Sequence, residues 1–241
     1  MKQLNYLLGY ENLKIYQDTD YFKFSLDSIL LPNFIKIKPS LKQILDIGTG
    51  NAVIPIILST KTNSNITGIE IQQDIYDLAV ESLKINNLEN RIKLINDDVK
   101  NYYEIQTSDT YDLITCNPPY FKINENSTLN LDDHKKVARH EVSLNLDDIM
   151  KISKKLLKNG GSICLVHRPD RLIEIINLMK KNNIEPKRIR FVYPKIGKDA
   201  NILLIEGVKN GNSGLIIESP LYVYNDNGTY TEDIKNILVR K

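Results

Sequence analysis

Hydrophobic and polar positions along the chain form segments that predict strands and helices in alternation. Short apolar runs that end in glycine or a polar residue predict strands at residues 43–48, 66–71, 91–97 and 111–117. Apolar residues at helical spacing predict helices at residues 53–60 and 73–87. Pro55 falls in the first turn of the first of these helices, where its missing N–H is harmless.

The later part of the chain continues this order and then departs from it. Residues 144–161 predict a helix stopped by Gly160 and Gly161, followed by a strand at 162–167 and a helix at 171–183. Three strand-like segments follow with no helix between them, at 187–194, 201–208 and 215–224. We therefore predict an α/β fold, a Rossmann-like doubly wound and mostly parallel seven-stranded sheet with an antiparallel C-terminal edge.

Composition narrows the class of protein. A chain of 241 residues with 41% hydrophobic content can bury the core of one α/β domain. Its apolar runs are shorter than the roughly 20 residues of a membrane span, and its N-terminus lacks the apolar core of a signal peptide. We therefore expect a cytoplasmic protein. Cys116 and Cys164 each fall in a predicted strand, which indicates reduced core thiols. His134, His140 and His167 lack partners at zinc-like spacing, so we expect no metal site.

Charge is distributed unevenly along the chain. Residues up to 130 carry 12 Lys and Arg against 16 Asp and Glu, whereas the residues after 130 carry 20 against 14. The second part is therefore the candidate for contact with a polyanion. Its basic residues crowd into one segment: Lys180, Lys181, Lys187, Arg188, Arg190, Lys195 and Lys198. The alternative is a solvated helix end followed by a charged edge strand, which lysine protects from aggregation.

Three polar features fall at the ends of predicted strands, where ligands of doubly wound sheets bind. The first is the sequence DIGTGNA at residues 46–52. Gly48 and Gly50 let the backbone pass close to a ligand, and Asp46 can accept hydrogen bonds from it. Position 53 is valine where the dinucleotide fingerprint requires glycine, which disfavours a pyrophosphate cradle. A simple strand-to-helix turn is the alternative.

The second feature is a set of carboxylates at the next two strand ends. Glu70 lies about 20 residues after the glycine turn, where nucleotide-binding folds place the carboxylate that holds ribose hydroxyls. An exposed strand-end carboxylate is the alternative. Asp97 and Asp98 end the third strand. One of them can read an adenine amino group, and the other is expected to be solvated.

The third feature is the sequence Asn117-Pro118-Pro119-Tyr120 after the fourth strand. A proline fixes its own φ and pushes the residue before it into an extended conformation. The Asn117 side chain and the Pro118 carbonyl are thus expected to face one point as two acceptors. When two acceptors receive hydrogen bonds from a planar amino group, they stabilise the positive charge that develops on its nitrogen. The amino group then attacks an electrophile more readily. The Tyr120 ring can stack on the base.

Together, DIGTGN, Glu70, Asp98 and NPPY resemble the class I S-adenosylmethionine-dependent methyltransferases that methylate amino groups. In that family the glycine turn and the first aspartate face the methionine part of the cofactor, the glutamate faces the ribose and the last aspartate faces the adenine. The resemblance implies S-adenosyl-L-methionine as cofactor. It implies cofactor contacts at Asp46, Gly48, Gly50, Asn51, Glu70, Ile71, Asp98, Val99 and Asn117, and catalytic roles for Asn117, Pro118 and Tyr120. Ala52 departs from the family pattern, which has glycine there.

The chain from about residue 14 onward is similar, more narrowly, to the bacterial tRNA adenine-N6 methyltransferases that modify the base next to the anticodon of a valine tRNA. The matching stretches are YFKFSLDSILL, NPPYFK, ARHE, VHRPDRL, EPKRIRFVYPK and ESPLYVY. The resemblance implies a tRNA substrate and no membrane or metal partner; we expect a monomer or weak dimer. It implies RNA contacts at Phe24, Arg139, His140, Arg168, Lys187, Arg188, Arg190, Lys195 and Lys198.

The resemblance also implies the domain organisation. Residues 1–42 are expected to cap the cofactor and target pocket, and residues 43–241 to form the methyltransferase domain, with a strand-rich C-terminal region that faces RNA. Residues 21–31 predict a strand that turns into a helix with Ser25 as N-cap, and by themselves they indicate core packing. The resemblance places this segment beside the cofactor pocket, so that Phe24, Ser25 or Asp27 is expected to line it. Residues 122–136 predict either a lid ordered by RNA or a passive loop.

Two rival functions remain open from the residues. Glutamine-N5 protein methyltransferases that modify release factors share NPPY, but they usually carry a helical domain before the cofactor core, whereas about 42 residues precede Asp46 here. A non-catalytic RNA-binding protein with the same fold is the other rival. The intact NPPY argues against it, because a binder has no use for acceptors aimed at an amino group.

Overall fold

The computed structural model describes residues 2–18, 25–118 and 144–238. The chain begins with a hairpin, β1 (Lys2–Leu7) and β2 (Tyr10–Asp18), and a helix, α1 (Leu26–Phe34). Strands and helices then alternate through β3 (Gln43–Ile47), α2 (Val53–Lys61), β4 (Asn65–Glu70), α3 (Gln73–Ile85), β5 (Ile92–Asn96), α4 (Val99–Ile105) and β6 (Tyr111–Cys116). From residue 144 onward come α5 (Leu146–Leu156), β7 (Leu157–His167), α6 (Leu172–Lys181), β8 (Ile184–Tyr193), β9 (Ile202–Lys209), β10 (Ile216–Ile217), β11 (Leu221–Tyr222) and α7 (Glu232–Leu238).

The strands from β3 onward form one sheet in the order β5-β4-β3-β6-β7-β9-β8, and both β10 and β11 pair with β8. The pairs from β5 to β7 are parallel, whereas β9 runs antiparallel to β7 and to β8. The predicted α/β class and mostly parallel sheet are confirmed. The antiparallel strand lies one position inside the edge, so that β8 points in the same direction as β7. The segment 215–224 contributes only two strands of two residues each.

One predicted helix end was wrong. Helix α5 stops at Leu156, and Leu157 is already extended and begins β7 directly. Gly160 and Gly161 lie inside β7, where its pairing with β6 is irregular. A Cβ on Gly161 would stand only 2.9 Å from the carbonyl oxygen of Lys158. The two glycines therefore permit a bulge in a strand, a role that a glycine pair serves as readily as a helix stop.

Helices cover both faces of the sheet and bury two apolar cores. The hairpin, α1, α2, α3 and α7 pack on one face, and α4, α5 and α6 pack on the other. The hairpin, α4 and α7 were not predicted from the sequence. The two ends of the described chain meet on the first face: Gly9, in the hairpin turn with φ +83°, lies so close to α7 that a Cβ there would overlap the backbone of Leu238. Only glycine fits this contact.

The two cysteines, the start of α1 and the lengths of the helices were also predicted from the sequence. Cys116 and Cys164 are buried and carry free thiols, as predicted. Ser25 is the N-cap residue of α1, also as predicted, but its side chain makes no capping hydrogen bond. Among residues 2–18, 25–118 and 144–238, no helix combines the length and apolarity needed to cross a bilayer.

Arg188 in β8 joins four parts of the structure. Its guanidinium donates to Glu206 in β9 at 2.8 Å, to Glu218 before β11 at 2.9 Å and to the Phe34 carbonyl oxygen at the end of α1 at 2.8 Å. The guanidinium carbon lies 3.8 Å from the centroid of the Phe34 ring. Arg188 is 4% exposed. These contacts use the side chain within the protein, which corrects the prediction that Arg188 contacts RNA.

Replacement of Arg188 by methionine is expected to lower the free energy of unfolding by about 3 kcal/mol, because it removes the buried cation that Glu206 and Glu218 share and leaves Glu218 only the exposed Lys36, at 3.7 Å. Urea denaturation of the parent and of Arg188→Met would measure the difference. The exposed Lys198 provides the matched control, since Lys198→Met removes a cation that lies on the surface. Equal midpoints for parent and Arg188→Met would show that the cluster is not a stabilising element.

Candidate active site

The carboxyl ends of the parallel strands bring the predicted polar residues into one row. Ile47 pairs with Ile69 on one side and with Cys116 on the other. The next residues, Gly48, Glu70 and Asn117, therefore stand at the same level, and Glu70 pairs with Asn96 at the end of β5. Adjacent strands are about 4.8 Å apart, so the row spans roughly 15 Å from β6 to β5. It crosses β3, which lies between β4 and β6.

Asp46 lies beneath this row with no exposed surface. Its two carboxylate oxygens accept hydrogen bonds from the hydroxyls of Thr49, at 2.7 Å, and Thr115 in β6, at 2.5 Å. The pKa of Asp46 is raised to about 7; burial is the main cause, the hydroxyls of Thr115 and Thr49 act in the opposite direction, and the charge of Glu70 adds a smaller increase. Sequence reasoning missed both threonines. Gly68 opposite Asp46 leaves room for Thr49, because a Cβ there would stand 2.9 Å from the Thr49 hydroxyl.

Glu70 holds the glycine turn in place. Its carboxylate accepts hydrogen bonds from the backbone N–H of Gly50 at 3.0 Å and of Gln72 at 2.9 Å, and it is 5% exposed. The turn is anchored a second time, since the Thr49 N–H donates to the Ile69 carbonyl. Glu70 is therefore not the exposed strand-end carboxylate that was the alternative from sequence.

The backbone of the turn is open to a ligand on one side. Gly48 and Gly50 have φ values of +64° and +56°, and no atom lies within 4 Å of a Cβ placed on either. Ala52 adopts a φ of +63° and is buried, so its methyl group points into the protein. A positive φ costs a non-glycine residue roughly 1 kcal/mol, which the chain accepts here. The Asn51 side chain donates to the Tyr16 carbonyl in β2, at 2.5 Å, and ties the turn to the hairpin.

Asp97 and Asp98, at the end of β5, accept hydrogen bonds from different donors. Asp98 is the N-cap of α4 and accepts from the Lys100 N–H at 2.9 Å. Asp97 accepts from the N–H of Asp98 and from the side chain of Asn101.

Ile71, after β4, is 45% exposed. An exposed apolar side chain beside a buried carboxylate fits the flat face of a nucleoside, as the predicted contacts of Ile71 require.

Asn117 is oriented by a residue that sequence reasoning did not select. Its side-chain Nδ2 donates to the hydroxyl of Ser28 in α1, at 3.1 Å. Because the nitrogen of the amide points to Ser28, the oxygen points away from it. Pro118, which follows, is buried. Asp27 in the same helix is buried as well. The signal for Ser28 was its place on a helix beside the predicted pocket, but only the fold shows which residue of that helix contacts Asn117.

The basic residues that were predicted to contact RNA differ in their exposure and in their distance from the carboxyl edge of the sheet. Arg168 is exposed and directly follows β7 at the carboxyl edge of the sheet. Lys195 and Lys198 lie in the connection from β8 to β9, beyond the same edge. Arg190 is half-buried and donates to the Ser219 carbonyl. Lys187 lies about three residues before the level of the row along β8, which is roughly 10 Å. Its ammonium group donates to the Asn212 carbonyl.

Some predicted residues fall outside the described ranges, namely Phe24, Tyr120, Arg139, His140 and the proposed lid at 122–136. His167 ends β7 and accepts from the Arg168 N–H at 2.8 Å. Burial, followed by the charge of Arg171, lowers the pKa of His167 to about 4. Within the described ranges, no group of three or more His, Cys, Asp and Glu side chains has the arrangement of a metal site.

The raised pKa of Asp46 gives a pH-dependent prediction. The carboxyl has a pKa near 3.8 when unfolded and about 7 when folded, so its stabilising effect is complete below pH 4 and is lost as the pH rises through 7. The free energy of unfolding of the parent should therefore fall by about 3 kcal/mol relative to Asp46→Asn between pH 5 and pH 8. Urea denaturation at both pH values measures this gap, and other groups cancel because they titrate in both proteins. A gap that stays constant would contradict the raised pKa.

Comparison with known proteins identifies the family of this chain. The sequence profile of the methyltransferase small domain matches residues 26–182. The chain is 29% identical to the tRNA1(Val) (adenine(37)-N6)-methyltransferase of Parabacteroides distasonis over 82% of this chain and 81% of that protein. It is 27% identical to the protein of the same name from Haemophilus influenzae over 92% of each. A predicted O-methyltransferase from Agrobacterium tumefaciens shares the fold, with a TM-score of 0.70 and 19% identity over 88% of this chain and 95% of that one. Because the matched residues exceed half of its length, the chain belongs to the methyltransferase small domain family.

Proposed function

We propose that this protein transfers a methyl group from S-adenosyl-L-methionine to the exocyclic N6 amino group of an adenosine in a tRNA anticodon loop, next to the anticodon of a valine tRNA. The observation that carries this proposal is the amide of Asn117, held by Ser28 in the same row as Gly48 and Glu70. The similar tRNA1(Val) (adenine(37)-N6)-methyltransferases, which match over most of their length, support the choice of substrate.

The residues of the row fit the cofactor. The open backbone at Gly48 and Gly50 admits the methionine part, Glu70 accepts the ribose hydroxyls, and Ile71 and Asp98 contact the adenine. Once bound, S-adenosylmethionine supplies an electrophilic methyl group attached to a positively charged sulfur. A cation above the turn favours the ionised form of Asp46, whose charge is otherwise disfavoured by burial.

Asn117 and Pro118 act on the incoming amino group. The lone pair of an adenine amino group is delocalised into its ring, which makes the group a weak nucleophile. The Asn117 side-chain oxygen and the Pro118 carbonyl oxygen accept hydrogen bonds from its two N–H groups. These bonds stabilise the positive charge that forms on the nitrogen as it attacks the methyl group. No strong base is needed, because the proton leaves after the methyl group has been transferred. Tyr120 stacks on the base.

The RNA approaches the carboxyl edge of the sheet. Arg168, Lys195 and Lys198 lie at this edge and contact phosphates, together with Arg139 and His140. A contact between Phe24 and the target base belongs to the proposal through the resemblance alone. Lys187, which is below the level of the row, and Arg190, which is three strands away from Asn117 in the sheet, contact the flanks of the tRNA. The enzyme acts as a monomer or weak dimer in the cytoplasm, without a metal ion.

The test is methyl transfer from isotopically labelled cofactor to tRNA, with nucleoside mass spectrometry of the product. The parent is expected to form N6-methyladenosine in valine tRNA and to leave release factors unlabelled. Asn117→Ala should lower kcat by about 100-fold, or roughly 3 kcal/mol, while cofactor affinity measured by calorimetry stays within about twofold. Labelling of release factor in place of tRNA would show an amide substrate. Full tRNA methylation by Asn117→Ala would refute the proposed catalytic role.

Ser28 should act as a positioning residue. Ser28→Ala removes one hydrogen bond that orients the Asn117 amide, so kcat should fall about fivefold to tenfold, as expected for the loss of one hydrogen bond. The KM for tRNA and the thermal stability should change little. Ser28→Thr retains a hydroxyl at the same carbon and should restore most of the rate. Equal losses in Ser28→Thr and Ser28→Ala would indicate that α1 merely packs there.

A further inference from the structure

A cleft of about 900 Å³ lies between the N-terminal hairpin and the C-terminal segment. Its volume is in the range of small-ligand sites. The walls come from the hairpin, the start of α1 and the segment after β11. They consist of Asn5, Tyr6, Leu7, Leu8, Gly9, Tyr10, Gln17, Leu26, Tyr224 and Tyr230. Four of these residues are tyrosines, which give the cleft aromatic surface with polar tips.

The position of the cleft relates it to the active site. Leu26 in its wall precedes Ser28 by two residues, about 3 Å along the helix, and Ser28 holds Asn117. Gln17 follows Tyr16, whose carbonyl accepts from Asn51 of the glycine turn. The cleft and the active site are therefore connected through α1 and β2, which contribute residues to both.

Two of the tyrosines form a rigid platform. The rings of Tyr224 and Tyr230 are stacked, with centroids 5.2 Å apart and planes 15° apart. The turn between them is braced, since the Asn225 N–H donates to the Thr229 carbonyl at 2.8 Å and the Asn225 side chain donates to the Tyr230 carbonyl at 3.1 Å. Tyr224 is 41% exposed. A platform that is already ordered loses little entropy when another ring stacks on it.

The hairpin side of the cleft carries an exposed aromatic ring with a cation beside it. Tyr6 is 65% exposed. The Nζ of Lys14 lies 5.1 Å from the centroid of the Tyr6 ring. An aromatic ring beside a cation suits a nucleotide, whose base stacks while its phosphate approaches the charge.

A buried amide in the wall lacks one of its partners. Gln17 is 5% exposed, and its Oε1 accepts from the Asn5 side chain at 3.1 Å. Its Nε2 is buried and has no hydrogen-bond partner among the residues that the structure describes. A buried donor without a partner destabilises a protein by roughly 1–3 kcal/mol. The terminal torsion of glutamine is soft, so a small rotation can offer this donor to an acceptor in the cleft.

We propose that the cleft binds an unstacked base of the RNA loop that neighbours the target adenosine, with the base stacked between Tyr6 and Tyr224 and a ring nitrogen or carbonyl oxygen accepting from Gln17. The proposal rests on the proposed function, because it takes tRNA as the substrate. Single-stranded loops are read in this way, through splayed bases that stack on aromatic rings and form hydrogen bonds at their edges. Binding a second base outside the catalytic corner would also hold the loop open while the target base is out of its stack.

The experiment measures the affinity of valine tRNA transcripts in which one loop nucleotide at a time, other than the target, is abasic. The parent should lose about tenfold or more in affinity at one loop position, the worth of one stacked base. Tyr6→Ala and Tyr224→Ala should bind intact tRNA about tenfold more weakly and lose little more at that same position. Tyr6→Phe and Tyr224→Phe keep the rings and should bind like the parent.

Two further variants separate recognition from packing. Gln17→Met removes the unpartnered donor together with the acceptor for Asn5, so thermal stability should fall by no more than the contribution of one hydrogen bond while tRNA affinity falls about fivefold. Tyr103→Ala removes a half-buried tyrosine on the other face of the sheet and should leave tRNA affinity unchanged. Loss of tRNA affinity only in proportion to lost stability would overturn the proposal.

The outcomes distinguish this proposal from the function on which it rests. If the parent does not methylate tRNA in the same preparation, the proposed function fails. If the parent methylates tRNA but Tyr6→Ala and Tyr224→Ala bind every transcript as the parent does, only the cleft proposal fails. Self-association of the parent that both alanine variants abolish, seen by sedimentation with unchanged tRNA affinity, would show the cleft to be an interface between copies of the chain and would overturn the proposal.

Discussion

The buried carboxylate of Asp46 is the constraint on which the site depends. It lies inside the sheet, and the hydroxyls of Thr49 and Thr115 satisfy its oxygens. One hydroxyl belongs to the turn and the other to β6, so the carboxylate fixes the turn against the strand that carries Asn117. Since burial places its pKa near neutrality, the group can respond to a cation bound above it.

The same turn is fixed from the other side by Glu70. Its carboxylate holds the backbone of Gly50, so two acids on adjacent strands shape one loop between them. Asn51 extends the connection to the hairpin. The hairpin therefore helps to fix the glycine turn. It also contacts the last described helix, where Gly9 meets Leu238.

Charge in the sequence and charge on the surface differ in this protein. The segment from 180 to 198 is rich in Lys and Arg, but Arg188 is buried among carboxylates and holds β8, β9 and α1 together. Lys195 and Lys198 lie beyond the end of β8, where parallel strands place their functional loops. A local count of charges cannot separate these roles, because the alternation of a strand sends neighbouring residues to opposite faces.

The sequence by itself determined the fold class and the main row of the site. Apolar runs with period two or 3.6 identify strands and helices one by one, and ligands of such sheets bind at strand ends. This local information was enough to select Asp46, Glu70 and Asn117. It did not separate a glycine pair in a bulge from one at a helix end, since glycine permits both conformations.

Only the tertiary structure decided the contacts between segments distant in the sequence. Ser28 lies 89 positions before Asn117 and meets it through the packing of α1 on the sheet. Thr115 reaches Asp46 across 69 positions because β3 and β6 are neighbours. The tyrosine cleft exists because the hairpin and the C-terminal segment pack side by side. No periodicity encodes these contacts, because they depend on strand order and helix packing, which are properties of the whole chain.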